Sequence, residues 1–110
     1  MVDIEELKPL IVEKLKPLNP DKIILFGSYA YGEPNSSSDI DIFLLKDIEK
    51  DKIREERIKA HMLLWDLVKD KKVGFDLFID SLDSVKKRIE DVKDQFYEEI
   101  LTKGKVIYAK

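Results

Sequence analysis

The sequence is notable first for what it lacks: it has no cysteine and no excess of basic residues. Without cysteine there are no disulfide bonds or thiolate metal sites, which fits a reducing compartment. The formal net charge of −3 argues against a general nucleic-acid-binding surface. No apolar run approaches the roughly 20 residues that cross a bilayer, and the acidic N-terminus lacks the features of a secretory signal. We therefore expect a cytoplasmic protein.

The composition is that of a folded globular protein. Hydrophobic residues make up 44% of the chain and charged residues 39%. A chain of 110 residues is long enough for one hydrophobic core, and it contains no repeat, low-complexity tract or linker. We expect a single domain over residues 1–110.

Hydrophobic spacing and turn residues predict helices that alternate with short strands. A first helix capped by Asp3 should end at Pro17, and a short helix should follow the first strand within "GSYAYG". The predicted strands and long helices are Lys22–Phe26, Asp39–Leu45, a helix from about Lys50 to Lys69, Val73–Ile79, a further helix capped by Ser81 or Asp83, and a final edge strand "KVIYA". This order predicts a mixed α/β or α+β domain with helices covering a small sheet, and leaves the strand order open.

The two long helices have predicted apolar faces. In the first of them, Met62 and Trp65 are expected in the core, whereas His61 is expected at the boundary or on the surface. The full predicted stripe comprises Ile53, Ile58, Met62, Trp65 and Val68. The last helix is predicted to bury Val85, Ile89, Val92, Phe96, Ile100 and Leu101, and to stop at Gly104.

Two aspartates open the second predicted strand. Because side chains alternate across a strand, Asp39 and Asp41 should project from one face, roughly 6.5 to 7 Å apart at the backbone. Two carboxylates placed together repel each other, and a divalent cation removes that repulsion. Oxygen ligands favour Mg²⁺ or Mn²⁺ over zinc. The pair alone is also compatible with a turn and a cap.

A third aspartate, Asp76, lies inside the apolar strand "VGFDLFI", where burial disfavours it. If this strand lies beside the second one, Asp76 can join Asp39 and Asp41. Three carboxylates can hold two metal ions, an arrangement used for in-line phosphoryl displacement. On an edge strand, Asp76 would instead simply face water.

Gly27 and Ser28 follow the first strand at the expected start of the short helix. Backbone N–H groups at such a position favour anions, glycine allows close approach of a phosphate, and Ser28 adds a hydroxyl donor. The same dipeptide can be an ordinary turn. Tyr29 and Tyr31 could stack on a base or simply cover the short helix.

Together, these residues resemble the signature of the DNA polymerase β-like nucleotidyltransferases. The matching segment is "GSYAYGEPNSSSDIDIFLL", and the ending "FYEEILTKGKVIYAK" is similar to that of the minimal nucleotidyltransferases, the MNT or MntA-type proteins. The resemblance implies a small mixed sheet flanked by helices and Mg²⁺-dependent transfer of AMP from ATP. By position, Gly27 and Ser28 match the phosphate-binding pair, and Asp39, Asp41 and Asp76 match the metal-binding catalytic carboxylates.

The resemblance also implies a partner. Proteins of this type are commonly antitoxins paired with a HEPN-domain ribonuclease toxin, which they silence by adenylylating a tyrosine. One position departs from the pattern, because many relatives carry arginine where this chain has Tyr31. That difference bears on how the triphosphate is held.

Two other functions remain open at this stage. The chain could neutralise a toxin by occlusion alone, as a binding module without catalysis. Alternatively, it could transfer a nucleotide to an RNA end or to a small hydroxylated molecule. The acidic charge balance argues against unaided RNA binding, and the small size leaves little room for a separate acceptor-binding module. The oligomeric state, homo- or hetero-oligomer, is also open.

Overall fold

Four strands and five α-helices form the part of the chain that the computed structural model describes, residues 2–110. In chain order the elements are α1 (Ile4–Leu15), β1 (Lys22–Phe26), α2 (Ser28–Tyr31), β2 (Ile40–Leu45), α3 (Ile53–Lys71), β3 (Phe75–Asp80), α4 (Leu82–Val92), α5 (Gln95–Lys103) and β4 (Lys105–Ala109). Short 3₁₀ turns at Lys16–Leu18 and Lys50–Lys52 follow α1 and precede α3. The predicted strands, the short helix and the Asp3 cap are confirmed to within two residues.

The strands form one mixed sheet in the order β3-β2-β1-β4. Strand β1 is antiparallel to both β2 and β4, and β2 is parallel to β3. The parallel pair is joined by α3, because a parallel connection needs a long crossover. This α+β architecture confirms the predicted fold class and places β3 directly beside β2.

Each face of the sheet has its own hydrophobic core. Alternation along β2 directs Ile40, Ile42 and Leu44 to one side and Phe43 and Leu45 to the other. Helices α1 and α3 cover the first side, where they pack with the buried residues of α2. Helices α4 and α5 cover the second side. Asp41 lies on the same side of β2 as Phe43, so the carboxylate belongs to the α4–α5 face.

The predicted core face of α3 was wrong for three of its five residues, whereas Ile53 and Val68 are partly buried against the core. Ile58, Met62 and Trp65 are exposed, with 72% of Met62 and 56% of Trp65 accessible to solvent. The helix buries Ala60, Leu64 and Leu67 instead. Both sets follow helical spacing, and the prediction chose the bulkier set, whereas contact with the sheet is made by the smaller one. His61 is exposed, as predicted.

The predicted last helix is two helices. Lys93 has a positive φ of 54° and ends α4, and the Asp94 side chain then caps α5 by accepting from the Tyr97 N–H at 3.1 Å. Part of the predicted apolar face is turned outward: Val92, Phe96 and Leu101 are exposed. Gly104 ends α5, as predicted.

Membrane-spanning character is not found in the helices described here. No helix within residues 2–110 combines the length and the apolar content that a bilayer span requires.

Candidate active site

Two carboxylates from different parts of the chain meet at one end of the sheet. In the parallel pair β2–β3, Asp41 lies opposite Asp76, and on the other side of β2, Asp41 lies opposite Phe26, the last residue of β1. Phe26, Asp41 and Asp76 all lie at the end of the sheet where β1 ends and where β2 and β3 begin. The third strand thus lies beside the second, which was the condition under which the sequence analysis expected Asp76 to lie near Asp41.

The electrostatics of Asp41 reflect this crowding. The pKa of Asp41 is raised from 3.8 to about 6, first by burial and then by the charge of Asp76, a hydrogen bond with Asp76, and the charge of Asp39. A carboxylate with a raised pKa gains from any positive charge placed beside it, whether a proton or a metal ion. The site is therefore electrostatically prepared for a cation.

Asp39 lies just before β2 and is held beside the start of β3. The N–H of Ile40 donates to the carbonyl of Gly74 at 2.9 Å, which brings the two chain segments together. A β-carbon added to Gly74 would overlap the Asp39 carboxylate, whose carboxyl carbon would be 3.1 Å away. Gly74 therefore makes room for Asp39. The sequence analysis missed this role, although a glycine directly before an aspartate-bearing strand was a visible signal.

Gly27 makes the corresponding space for Asp41. Its φ of 72° and ψ of −154° lie in a region that only glycine adopts readily. A β-carbon there would overlap the Asp41 carboxylate, with the carboxyl carbon at 3.0 Å. Gly27 thus lets the turn that begins α2 approach the Asp41 carboxylate closely. The five residues proposed from the sequence all lie at this end of the sheet.

The acidic side chains of the site offer only oxygen donors to a metal ion. Among residues 2–110, no three or more histidine, cysteine, aspartate or glutamate side chains are grouped as metal ligands. The facing carboxylates of Asp41 and Asp76 nevertheless fit Mg²⁺, which takes one or two protein carboxylates and leaves its other positions to water and substrate phosphates. The raised pKa of Asp41 supports this fit.

Three other residues were candidates for a functional role on the basis of the sequence, and they differ in their access to this site. His61 is on α3, which covers the opposite face of the sheet, so it does not face the carboxylates. Tyr29 is buried in the core and is not free to stack on a ligand. Tyr31, with 41% of its surface exposed, is at the end of α2 and remains accessible.

A glycine-bounded turn beside paired strand carboxylates is the arrangement expected of a nucleotidyltransferase, and a family match shows that this is the class of the protein. The profile of the family described as Polymerase beta, Nucleotidyltransferase matches residues 5–110, and the chain belongs to that family. The fold and site geometry agree with this assignment.

Individual relatives narrow the comparison. A protein of Methanocaldococcus jannaschii, named as a candidate protein adenylyltransferase, is 32% identical over 87 residues, which cover 79% of this chain and 77% of that protein. Two crystal structures share the fold. A mutant of the toxin–antitoxin MntA–HpeT has a TM-score of 0.56 at 21% identity, and a toxin–antitoxin with AMP-PNP has a TM-score of 0.55 at 23% identity. Each covers 94% of this chain, which in turn covers 73% of each of those chains.

Proposed function

We propose that the protein transfers AMP from ATP to a hydroxyl group of a partner protein. The observation that carries this proposal is the register of Asp41 against Asp76, together with the raised pKa of Asp41. The naming of the Methanocaldococcus jannaschii relative supports a protein acceptor, and the AMP-PNP neighbour supports an adenine nucleotide. The toxin–antitoxin neighbours support a toxin as partner. The resemblance of the sequence signature to the MntA-type proteins supports a HEPN-domain toxin and a tyrosine as the modified residue.

In this mechanism, Asp39, Asp41 and Asp76 would hold the divalent ions. When bound, Mg²⁺ would neutralise charge on the triphosphate and polarise the attacking oxygen. Gly27 allows the phosphate tail to approach the backbone, and the Ser28 hydroxyl donates to it. The oxygen of the acceptor hydroxyl bonds to the α-phosphorus, and the bond from the α-phosphorus to pyrophosphate breaks. Asp76 accepts the proton that the hydroxyl loses.

The test is transfer of label from α-labelled ATP to the co-purified protein encoded by the adjacent reading frame. Asp39→Asn, Asp41→Asn and Asp76→Asn should each abolish the transfer of AMP and leave the fold intact, because the amide keeps the shape and removes the charge. Asp83→Asn is the matched control, since Asp83 is an exposed aspartate on α4. Full transfer by any of the three site variants contradicts its proposed role. Intact mass would count the AMP units added.

The exposed face of α3 favours a second candidate, neutralisation of a toxin by binding alone. Met62 and Trp65 are large apolar residues exposed on one helix, as at many protein interfaces. If neutralisation survives the loss of both Asp39 and Asp41 and no label is transferred, binding is the function. Label found on RNA or on a small hydroxylated molecule would instead identify a different acceptor.

A further inference from the structure

An aromatic cluster lies on the same face of the sheet as the carboxylates. Its central ring is Phe96, at the start of α5. The Phe96 ring is 5.6 Å from that of Phe26, at 84°, and 5.2 Å from that of Phe78, at 61°. Phe26 and Phe78 are themselves 5.6 Å apart. Tyr97 is also in contact with Phe96, at 5.8 Å.

The two rings that hold Phe96 both border the proposed site. Phe26 pairs with Asp41 across the sheet and directly precedes Gly27. Phe78 is two residues beyond Asp76, so both side chains project from the same face of β3. Phe96 is thus placed beside the carboxylates by both strands, although it comes from a distant part of the chain.

The exposure of Phe96 distinguishes it from the rest of the cluster. Phe96 is 43% exposed, whereas Phe26 and Phe43 are buried, and Phe78 and Tyr97 are partly buried. Contacts with two rings fix its position, so stacking another flat group on it would cost little side-chain entropy. A fixed, exposed ring at the edge of a charged site is suited to a flat aromatic ligand.

A nucleotide bound as proposed would supply such a group. Its phosphates face Gly27 and the carboxylates, so its sugar and base extend away from them, either into solvent or along the sheet face. Along the sheet face, the exposed ring is Phe96. We propose, on the basis of the proposed function, that Phe96 stacks against the base of the bound nucleotide and so selects a nucleoside triphosphate over other polyphosphates.

The test compares two ligands that differ in the nucleoside. Binding of ATP and of inorganic tripolyphosphate, each with Mg²⁺, is measured by calorimetry. Phe96→Ala should weaken binding of ATP roughly 5- to 150-fold, the range expected for the loss of one stacked base, and leave tripolyphosphate binding unchanged. Phe96→Leu, which keeps apolar volume beside Phe26 and Phe78, should show the same selective loss, and Phe96→Tyr should retain ATP binding. Trp65→Ala is the matched control, because Trp65 is an exposed aromatic residue on α3, over the opposite face of the sheet. Tyr31→Ala, at the end of α2, tests the alternative aromatic position.

The outcomes separate this inference from the proposal it rests on. Unchanged ATP binding in both Phe96→Ala and Phe96→Leu, or an equal loss of both ligands in the correctly folded Leu variant, overturns the stacking role alone. A base-specific loss in Tyr31→Ala, with none in the Phe96 variants, also overturns it and places the base at α2. If the wild-type protein binds neither ligand, the proposed function fails, and the stacking role fails with it.

Discussion

At the residue scale, the central feature is an acidic group kept in an unfavourable setting. Asp41 is partly buried next to Asp76 and within the influence of Asp39, and its pKa is raised to about 6. An ion binding there would relieve this cost, so stability has been exchanged for the ability to bind a cation. Such exchange is common at functional sites.

The raised pKa of Asp41 predicts how stability depends on pH when no metal is present. The folded protein binds this proton more tightly than the unfolded chain, whose aspartates titrate near 3.8, so the stability contribution is fully present below pH 3.8 and is lost as the pH rises through about 6. Asp41→Asn should therefore melt at a higher temperature than wild type at pH 7.5 in EDTA. This advantage should shrink at pH 5.

Thermal unfolding of both proteins across this pH range is the measurement. Asp83→Asn, which changes an exposed aspartate on α4, should follow the wild-type curve. A difference in unfolding temperature between wild type and Asp41→Asn that stays the same from pH 7.5 to pH 5 would show that Asp41 carries no such cost.

Another aspartate shows the opposite arrangement. Asp80 is buried, but it accepts hydrogen bonds from the Ser81 N–H, the Ser84 hydroxyl and the Tyr97 hydroxyl. Burial and the bond to Asp80 raise the pKa of Tyr97 to about 12. Because its partners are all present, Asp80 joins β3 to α4 and α5 as a structural group. Acidic residues on the same strand thus have different roles, according to how many donors surround them.

At the element scale, the end of β1 is followed by Gly27 and the start of β3 is preceded by Gly74, and each glycine makes room for a carboxylate. Gly27→Ala should lower stability by about 1–3 kcal/mol, because alanine is strained at this backbone conformation, and should also displace Asp41. Gly74→Ala should cost less stability, since it meets mainly the mobile end of the Asp39 side chain. Both variants should lose AMP transfer.

Denaturant unfolding measured together with the transfer assay distinguishes the two glycines. The expected pattern is a large stability loss for Gly27→Ala and a small one for Gly74→Ala, with transfer impaired in both. Wild-type transfer by Gly74→Ala would show that Asp39 does not need the space beside β3.

The elements differ in how well the sequence predicted them. The strands were predictable because β-branched, apolar runs such as Lys22–Phe26 end at turn residues. The neighbouring placement of β2 and β3 was not, because a sequence pattern carries no strand order, and the site was therefore conditional on that placement. The break before Asp94 was missed because Lys93 adopts the left-handed conformation without a glycine to signal it. The face of α3 was misassigned because two apolar stripes compete on that helix.

At the scale of the whole molecule, the sheet separates two surfaces. The carboxylates and Phe96 belong to the face covered by α4 and α5, whereas the exposed residues Met62 and Trp65 are on α3, over the opposite face. A ligand on one surface does not contact the other. Nucleotide binding and contact through α3 can therefore be changed separately.

Trp65→Ala tests this separation. The variant should bind ATP with Mg²⁺ as wild type does, measured by calorimetry, and keep its unfolding temperature, because Trp65 makes little contact with the core. Asp41→Asn should instead bind ATP with Mg²⁺ weakly, although its fold stays stable. An altered ATP affinity in Trp65→Ala would show that the two surfaces are linked.

The parallel pairing of β2 and β3 also has a consequence for synthesis of the chain. Asp41 and Asp76 are separated in sequence by the whole of α3, and they come together only when β2 pairs with β3. While the ribosome is still making the first half of the protein, the nascent polypeptide has the glycine-serine turn, Asp39 and Asp41 but lacks Asp76. The three carboxylates can therefore come together only after the C-terminal third of the chain has left the ribosome and β3 has paired with β2. Activity thus depends on completion of the sheet.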